Sequence, residues 1–213
     1  MGLDIILLVV NFIAFFLALT VHEFAHALSA YYLGDRTAQY AGRLTLNPLA
    51  HIDLFGTILL PLFLILSNAG LVFGWAKPVP VNYFNLKDLK WGPAIVSFAG
   101  PLANLIFGIF CFCLLFLLNH FTNLGGNNLL VNFLFLLIIV NFVLMIFNLV
   151  PIPPLDGSKV LFALLPDRYL NFKLFLERYG IIILLIFLFF GSGILNTIFN
   201  FLINLIAVLV AKS

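Results

Sequence analysis

Between Ile5 and Leu33 the chain reads IILLVVNFIAFFLALTVHEFAHALSAYYL, an apolar run that carries His22, Glu23 and His26 in its second half. A helix needs about 20 mostly apolar residues to cross a bilayer, so the run is long enough to span one. Ionisable side chains within such a span are costly, so three together mark a candidate functional site. On a helix, residues four apart share a face, with Cβ atoms roughly 5–6 Å apart. Two imidazoles at that spacing can bind one zinc ion, and the Glu between them can serve as a general base for water. The opening segment therefore points to a zinc hydrolase built within a membrane.

The rest of the composition fits that setting. Of 213 residues, 64% are hydrophobic and 8% charged, whereas a soluble domain carries about 25% charged residues. The chain reads as a polytopic membrane protein with no large soluble domain. Its longest polar-rich stretch, 151–178, is too short to fold alone. The net charge of +2 and the lack of a basic run give no reason to expect nucleic acid as a partner. Cys111 and Cys113, two apart, do not face each other on a helix and read as packing residues. The start of the chain lacks the basic region of a cleavable signal, so the first segment is expected to be a retained span.

Apolar runs at 4–33, 52–72, 93–118 and 130–150 read as membrane helices. The run 180–211 is either one tilted span or two short ones around Gly191-Ser192-Gly193. Between 73 and 92, Pro alternates with Val around Lys77, which points to extended backbone because Pro removes a donor and biases its predecessor away from helix. If all four strong candidates cross fully, Asp156 falls at the opposite surface from the histidines: His22 lies about 27 Å along a helix from Asp4. Arg36 and Arg43 would then also oppose Lys87, Lys90, Lys159, Arg168, Lys173 and Arg178. If 52–92 makes no net crossing, all of these basic residues share one side, as the positive-inside rule favours. Non-helical backbone at membrane depth is tolerated where protein or a water-filled cavity covers it. The expected fold is thus all-α, with five or six transmembrane helices and a small re-entrant extended or β element. It forms one domain over 1–213, with a core at about 4–165 and a helical region at 178–213. The metal site is displaced toward the cytoplasm.

Catalytic zinc usually has three protein ligands. His51, His120, Asp53, Asp88 and Asp156 are the candidates for the third. Asp156 is the best of them, because the proline-broken segment before it cannot continue as helix and Gly157 permits a tight turn.

Here the chain resembles the site-2 protease family of intramembrane zinc metalloproteases. The resemblance rests on His22-Glu23-Phe24-Ala25-His26, on Gly100-Pro101-Leu102-Ala103-Asn104 and on the run Asn148 to Gly157, NLVPIPPLDG. Gly74 to Val81, GWAKPVPV, and Asn47 to His51, NPLAH, look like the family's short subgroup, and the likeness covers most of 15–165. It implies His22, His26 and Asp156 as ligands of one zinc ion, Glu23 as general base, and cleavage of a transmembrane protein substrate within the bilayer. It also implies substrate-binding or supporting roles for Asn148, Asn104, Gly100 and His51. A short form without PDZ or CBS domains is expected, in a prokaryotic cell membrane. A metal-ion transporter and an inert helix-binding scaffold are the alternatives; the complete Glu and ligand set argues against both.

Overall fold

The computed structural model describes residues 5–67, 77–122 and 128–211, and its element order follows the apolar runs. The first helix, α1 (Ile5–Tyr32), ends where Gly34 takes φ +110. The Gly34 N–H donates to the Tyr31 carbonyl at 3.1 Å and the Asp35 N–H to the Ala30 carbonyl at 2.9 Å. This pair of bonds around a left-handed glycine is the Schellman stop. The short α2 (Thr37–Tyr40) closes in the same way at Gly42.

Two long apolar helices follow, α4 (Gly92–Phe121) and α5 (Leu129–Asn148), the latter capped by Asn128 Oδ1 accepting from the Leu130 N–H at 2.9 Å. Helices α1, α4 and α5 pack against one another. They are the three helices long and apolar enough to cross a membrane among the described residues. Their shared core is Ala14, Cys111, Leu115, Val131, Leu134, Leu137 and Ile138, closed by Ile206 from the last helix. The outward side of α4 leaves large apolar side chains exposed, among them Ile106 and Phe110, as a lipid-facing surface requires.

The remainder departs from expectation in detail. The run 52–72 opens as a π-helical turn, Leu54–Leu59, and continues as the short α3 (Leu60–Leu66). Asp53 Oδ1 caps that turn, accepting from the Gly56 N–H at 2.7 Å. Of the expected re-entrant segment, Gly74, Trp75 and Ala76 lie outside the described residues. Residues 77–82 have no regular structure, and no strand occurs among the described residues. The polar stretch after Asn148 is partly helical: α6 (Gly157–Leu164) is followed by α7 (Leu170–Phe190), which starts ten residues before the apolar run at 180. A break at Gly191 separates α7 from α8 (Ser192–Ala211), so 180–211 is two helices. Lys212 lies outside the described residues.

The Lys87 N–H donates to the Leu33 carbonyl at 3.0 Å. The end of α1 and the approach to α4 therefore sit at the same end of the bundle. That excludes the arrangement in which 52–92 crosses fully, and it brings 149–156 to the histidines.

Candidate metal centre

His22 and His26 project from one face of α1 into the bundle, and both are buried. Their Nε2 atoms lie 3.0 Å apart. Asp156 Oδ2 lies 3.1 Å from His22 Nε2 and 3.3 Å from His26 Nε2. Asp156 stands at the N-cap position of α6, but its carboxylate makes no capping bond there. The carboxylate is instead turned sideways to the imidazoles. Gly157 makes this possible: a Cβ there would collide with the Leu149 and Val150 carbonyl oxygens.

Hydrogen bonds behind the rings fix their tautomers. Asn104 lies between the Ala18 carbonyl, 3.0 Å from its Nδ2, and His22 Nδ1, 2.6 Å from its Oδ1. A backbone carbonyl only accepts, so the Asn104 atom facing it is the amide nitrogen. Asn104 Oδ1 then accepts, and His22 Nδ1 is the donor. The second amide proton goes to Asn141 Oδ1 at 2.8 Å, and Asn141 Nδ2 donates to the Leu137 carbonyl at 2.8 Å. His26 Nδ1 likewise faces a carbonyl, that of Val96, at 2.7 Å, and must donate to it.

Both Nε2 atoms therefore turn lone pairs toward each other and toward a carboxylate oxygen. Three acceptors within 3.3 Å repel unless a metal cation or a proton sits among them. Asp156 Oδ2 is buried and has no hydrogen-bond donor of its own. Three donors on one face of a tetrahedron with metal bonds of about 2.0–2.1 Å lie roughly 3.3 Å apart. The observed spacing and the N, N, O donor set thus fit zinc. Among the described residues these three form the one group of such side chains able to hold a metal. The other candidates for third ligand lie elsewhere: Asp53 caps a turn, Asp88 Oδ1 accepts from the Lys90 and Trp91 N–H groups, and His120 stacks on Phe116 at the far end of α4.

Gly100 has a steric reason. A Cβ there would lie 2.6 Å from His26 Cε1 and 2.7 Å from His22 Cε1. Helix α4 thus supplies a bare floor at Gly100 and an orienting amide four residues later.

Beside the three donors is a cavity of about 260 Å3 whose walls include Glu23, Asn148, Ser97 and the segment Pro78, Val79 and Val81. The Val79 N–H donates to Glu23 Oε2 at 3.0 Å. Asn148 Nδ2 donates to the Leu144 carbonyl at 3.0 Å and so has one amide proton left for the cavity. His51 does not line this cavity. It is buried behind, with Nε2 bonded to the Thr45 carbonyl at 3.0 Å and its own carbonyl accepting from the Lys77 N–H at 3.1 Å. Its contribution is to hold one end of the segment 77–82.

Asp35 holds the other end. It is fully buried and accepts from the Asn82 N–H at 2.7 Å, from Asn85 Nδ2 at 3.0 Å and from the N–H and hydroxyl of Thr37. Burial alone raises a carboxyl's pKa, but the bonds from Thr37, Asn85 and Asn82 outweigh it and hold Asp35 below the ordinary carboxylate range. Sequence reasoning missed Asp35, Asn141 and the Val96 carbonyl. Only Asn141 carried a signal, as a polar side chain inside an apolar span.

Paired histidines on a membrane helix, a carboxylate brought to them by a later turn and a Glu at the cavity wall define a metalloprotease built among apolar helices. The chain belongs to peptidase family M50, the site-2 protease family, whose model matches residues 10–191. It is 40% identical over 181 residues to the "Putative zinc metalloprotease YwhC" of Bacillus subtilis (strain 168), covering 82% of this chain and 77% of that one. It is also 32% identical over 146 residues to the "Putative zinc metalloprotease Rip2" of Mycolicibacterium smegmatis (strain ATCC 700084 / mc(2)155), covering 68% of this chain and 53% of that one. The chain thus spans about half the length of the mycobacterial relative. No solved structure matches it significantly.

Proposed function

We propose that the chain is an intramembrane zinc endopeptidase that hydrolyses a peptide bond within or near a transmembrane segment of another membrane protein. The observation that carries this is the convergence of two fixed imidazole lone pairs and the Asp156 carboxylate beside Glu23. In this reading His22, His26 and Asp156 hold one zinc ion and Glu23 is the base. The helices beyond the three apolar ones bring the spans to five or six, and the site faces the cytoplasm of a prokaryotic cell.

Bound zinc would supply positive charge that acidifies water and polarises a carbonyl. The rest is done by the chain's own groups. Glu23 takes a proton from the attacking water and delivers it to the leaving amine nitrogen. Asn148 offers its spare amide proton to the carbonyl oxygen as charge develops there. Asn104 and the Val96 carbonyl keep both rings turned correctly, and the apolar walls limit water. A helical substrate protects its carbonyls with internal bonds, so it must unwind locally. Pro78, Val79 and Val81 line the cavity, and backbone carbonyls of that segment can accept from the N–H groups of the unwound stretch, replacing part of its lost bonds as in strand addition.

Glu23→Gln is the direct test. With a candidate membrane substrate co-expressed, the variant should keep its zinc and lose cleavage by at least 100-fold, on the scale of general-base contributions of about 10²–10⁴. Continued cleavage by Glu23→Gln, with new termini mapped by mass spectrometry, rejects the mechanism. If zinc transport into vesicles, rather than cleavage, depends on Glu23, the chain is a transporter.

A further inference from the structure

A second cavity, of about 470 Å3, adjoins the first. Tyr83 lines both, two residues beyond Val81 in the wall of the first. Its apolar lining is Leu89 and Pro93 at the start of α4 with Phe162 and Ala163 of α6. Its charged lining is Lys90, Lys159 and Lys173 against Asp167 and Glu177, a net positive set. Lys159 Nζ is committed: it donates to Glu177 Oε1 at 2.8 Å and lies 5.8 and 5.5 Å from the ring centroids of Tyr83 and Phe162. Lys173 Nζ donates to the Leu165 carbonyl at 2.9 Å, at the end of α6. Lys90 Nζ has no hydrogen bond or ion pair among the described residues. Its electrostatic neighbour is the exposed Asp88 carboxylate two residues earlier, which does not line the cavity, so Lys90 is the least committed of the three cations.

We propose that this cavity is a second substrate subsite. It receives the stretch of the substrate that flanks the cleaved bond where the chain leaves the bilayer, and it selects acidic side chains interspersed with apolar ones. The inference rests on the proposed proteolysis of membrane helices and adds a selection rule to it. The shared residue Tyr83 suggests the route: a peptide laid along Pro78, Val79 and Val81 and continued past Tyr83 would reach this space. The volume falls within the roughly 300–1,000 Å3 of ordinary ligand sites. The charge supplies discrimination. Cytoplasmic flanks of membrane helices are enriched in Lys and Arg, which a net positive lining repels. A substrate with an acidic flank is attracted, and most other helices are disfavoured; specificity of this kind is a difference of affinities that repulsion widens.

Photo-crosslinking separates this proposal from the reading beneath it. The full chain carrying Glu23→Gln, so that substrate is bound but not cut, is reconstituted in phosphatidylcholine vesicles with benzoylphenylalanine in place of either Val81 or Phe162. The probes are two synthetic single-span peptides, identical except for a juxtamembrane tail that alternates Leu with either Asp and Glu or Lys and Arg. The acidic-tailed peptide should crosslink from both positions. The basic-tailed one should crosslink from 81 but about fivefold less from 162, the scale of one or two exposed ion pairs. Lys90→Glu should reverse that preference. Crosslinks from 81 with none from 162, or with no tail preference at 162, overturn the subsite and leave the protease reading intact. No crosslink from 81 with either peptide overturns both. If phosphatidylglycerol added to the vesicles abolishes the crosslink from 162 for both tails alike, the cavity holds a lipid headgroup and the proposal fails.

Discussion

Asn104 shows how much one side chain decides in this site. It donates twice and accepts once, and each bond fixes the next, from the Ala18 carbonyl to the His22 ring. Replacing it with Ala leaves His22 Nδ1 without its acceptor, and a lone buried donor costs about 1–3 kcal/mol. Loss of such an orienting partner typically weakens metal binding by about 10–100-fold. Asn104→Ala should therefore retain its helix content by circular dichroism and lose zinc affinity on that scale in a chelator competition. Unchanged affinity rejects the tautomer argument. At this scale the site was largely legible in the sequence: helical spacing fixes His22, Glu23 and His26, and the proline-broken turn offers Asp156. Asn141 was not legible as a partner, because no local pattern says that an amide 37 residues further along will meet Asn104. The Val96 carbonyl was invisible for a plainer reason: any residue type there supplies the same acceptor.

The element that connects the site to its surroundings is the irregular segment 77–82, held by His51 at one end and Asp35 at the other. Among the described residues Asp35 has no cation as a partner, so its stability contribution comes from hydrogen bonds to its ionised form. Its folded pKa is depressed, so that contribution is complete above the ordinary carboxylate pKa and is lost as pH falls through the lower folded value. Asp35→Asn should destabilise the protein by about 1–3 kcal/mol at pH 7. The gap in melting temperature between wild type and variant should narrow as the pH is taken below 4. A gap that widens on acidification contradicts the assignment. Helices α1, α4 and α5 agree with the apolar runs to within a few residues, since their length and composition leave no alternative. Within the run 52–72 a π turn and a short helix cover 54–66, which apolar length alone cannot distinguish from a span, and 68–72 lie outside the described residues. The start of α7 was missed because Lys173, Glu177 and Arg178 break the apolar pattern while remaining good helix formers.

For the molecule as a whole, the bond from Lys87 to Leu33 joins two regions that a simple count of apolar runs would send to opposite faces of a membrane. Cysteines introduced at Arg36 and Asp88 should therefore react with an impermeant maleimide from the same side of sealed vesicles, at comparable rates. Labelling from opposite sides is incompatible with the arrangement. Charge distribution made this legible before any coordinates, because basic residues scattered along the chain collect on one side only when 52–92 turns back. The alternating prolines have a consequence for many copies crowded into one bilayer. Pro78 and Pro80 lack a backbone N–H, and the N–H groups of Lys77, Val79 and Asn82 are bonded to His51, Glu23 and Asp35 within the molecule, so the segment offers its neighbours little but acceptors. Acceptor cannot zip to acceptor, and neighbouring molecules are thereby denied a template for polymerising into a shared sheet.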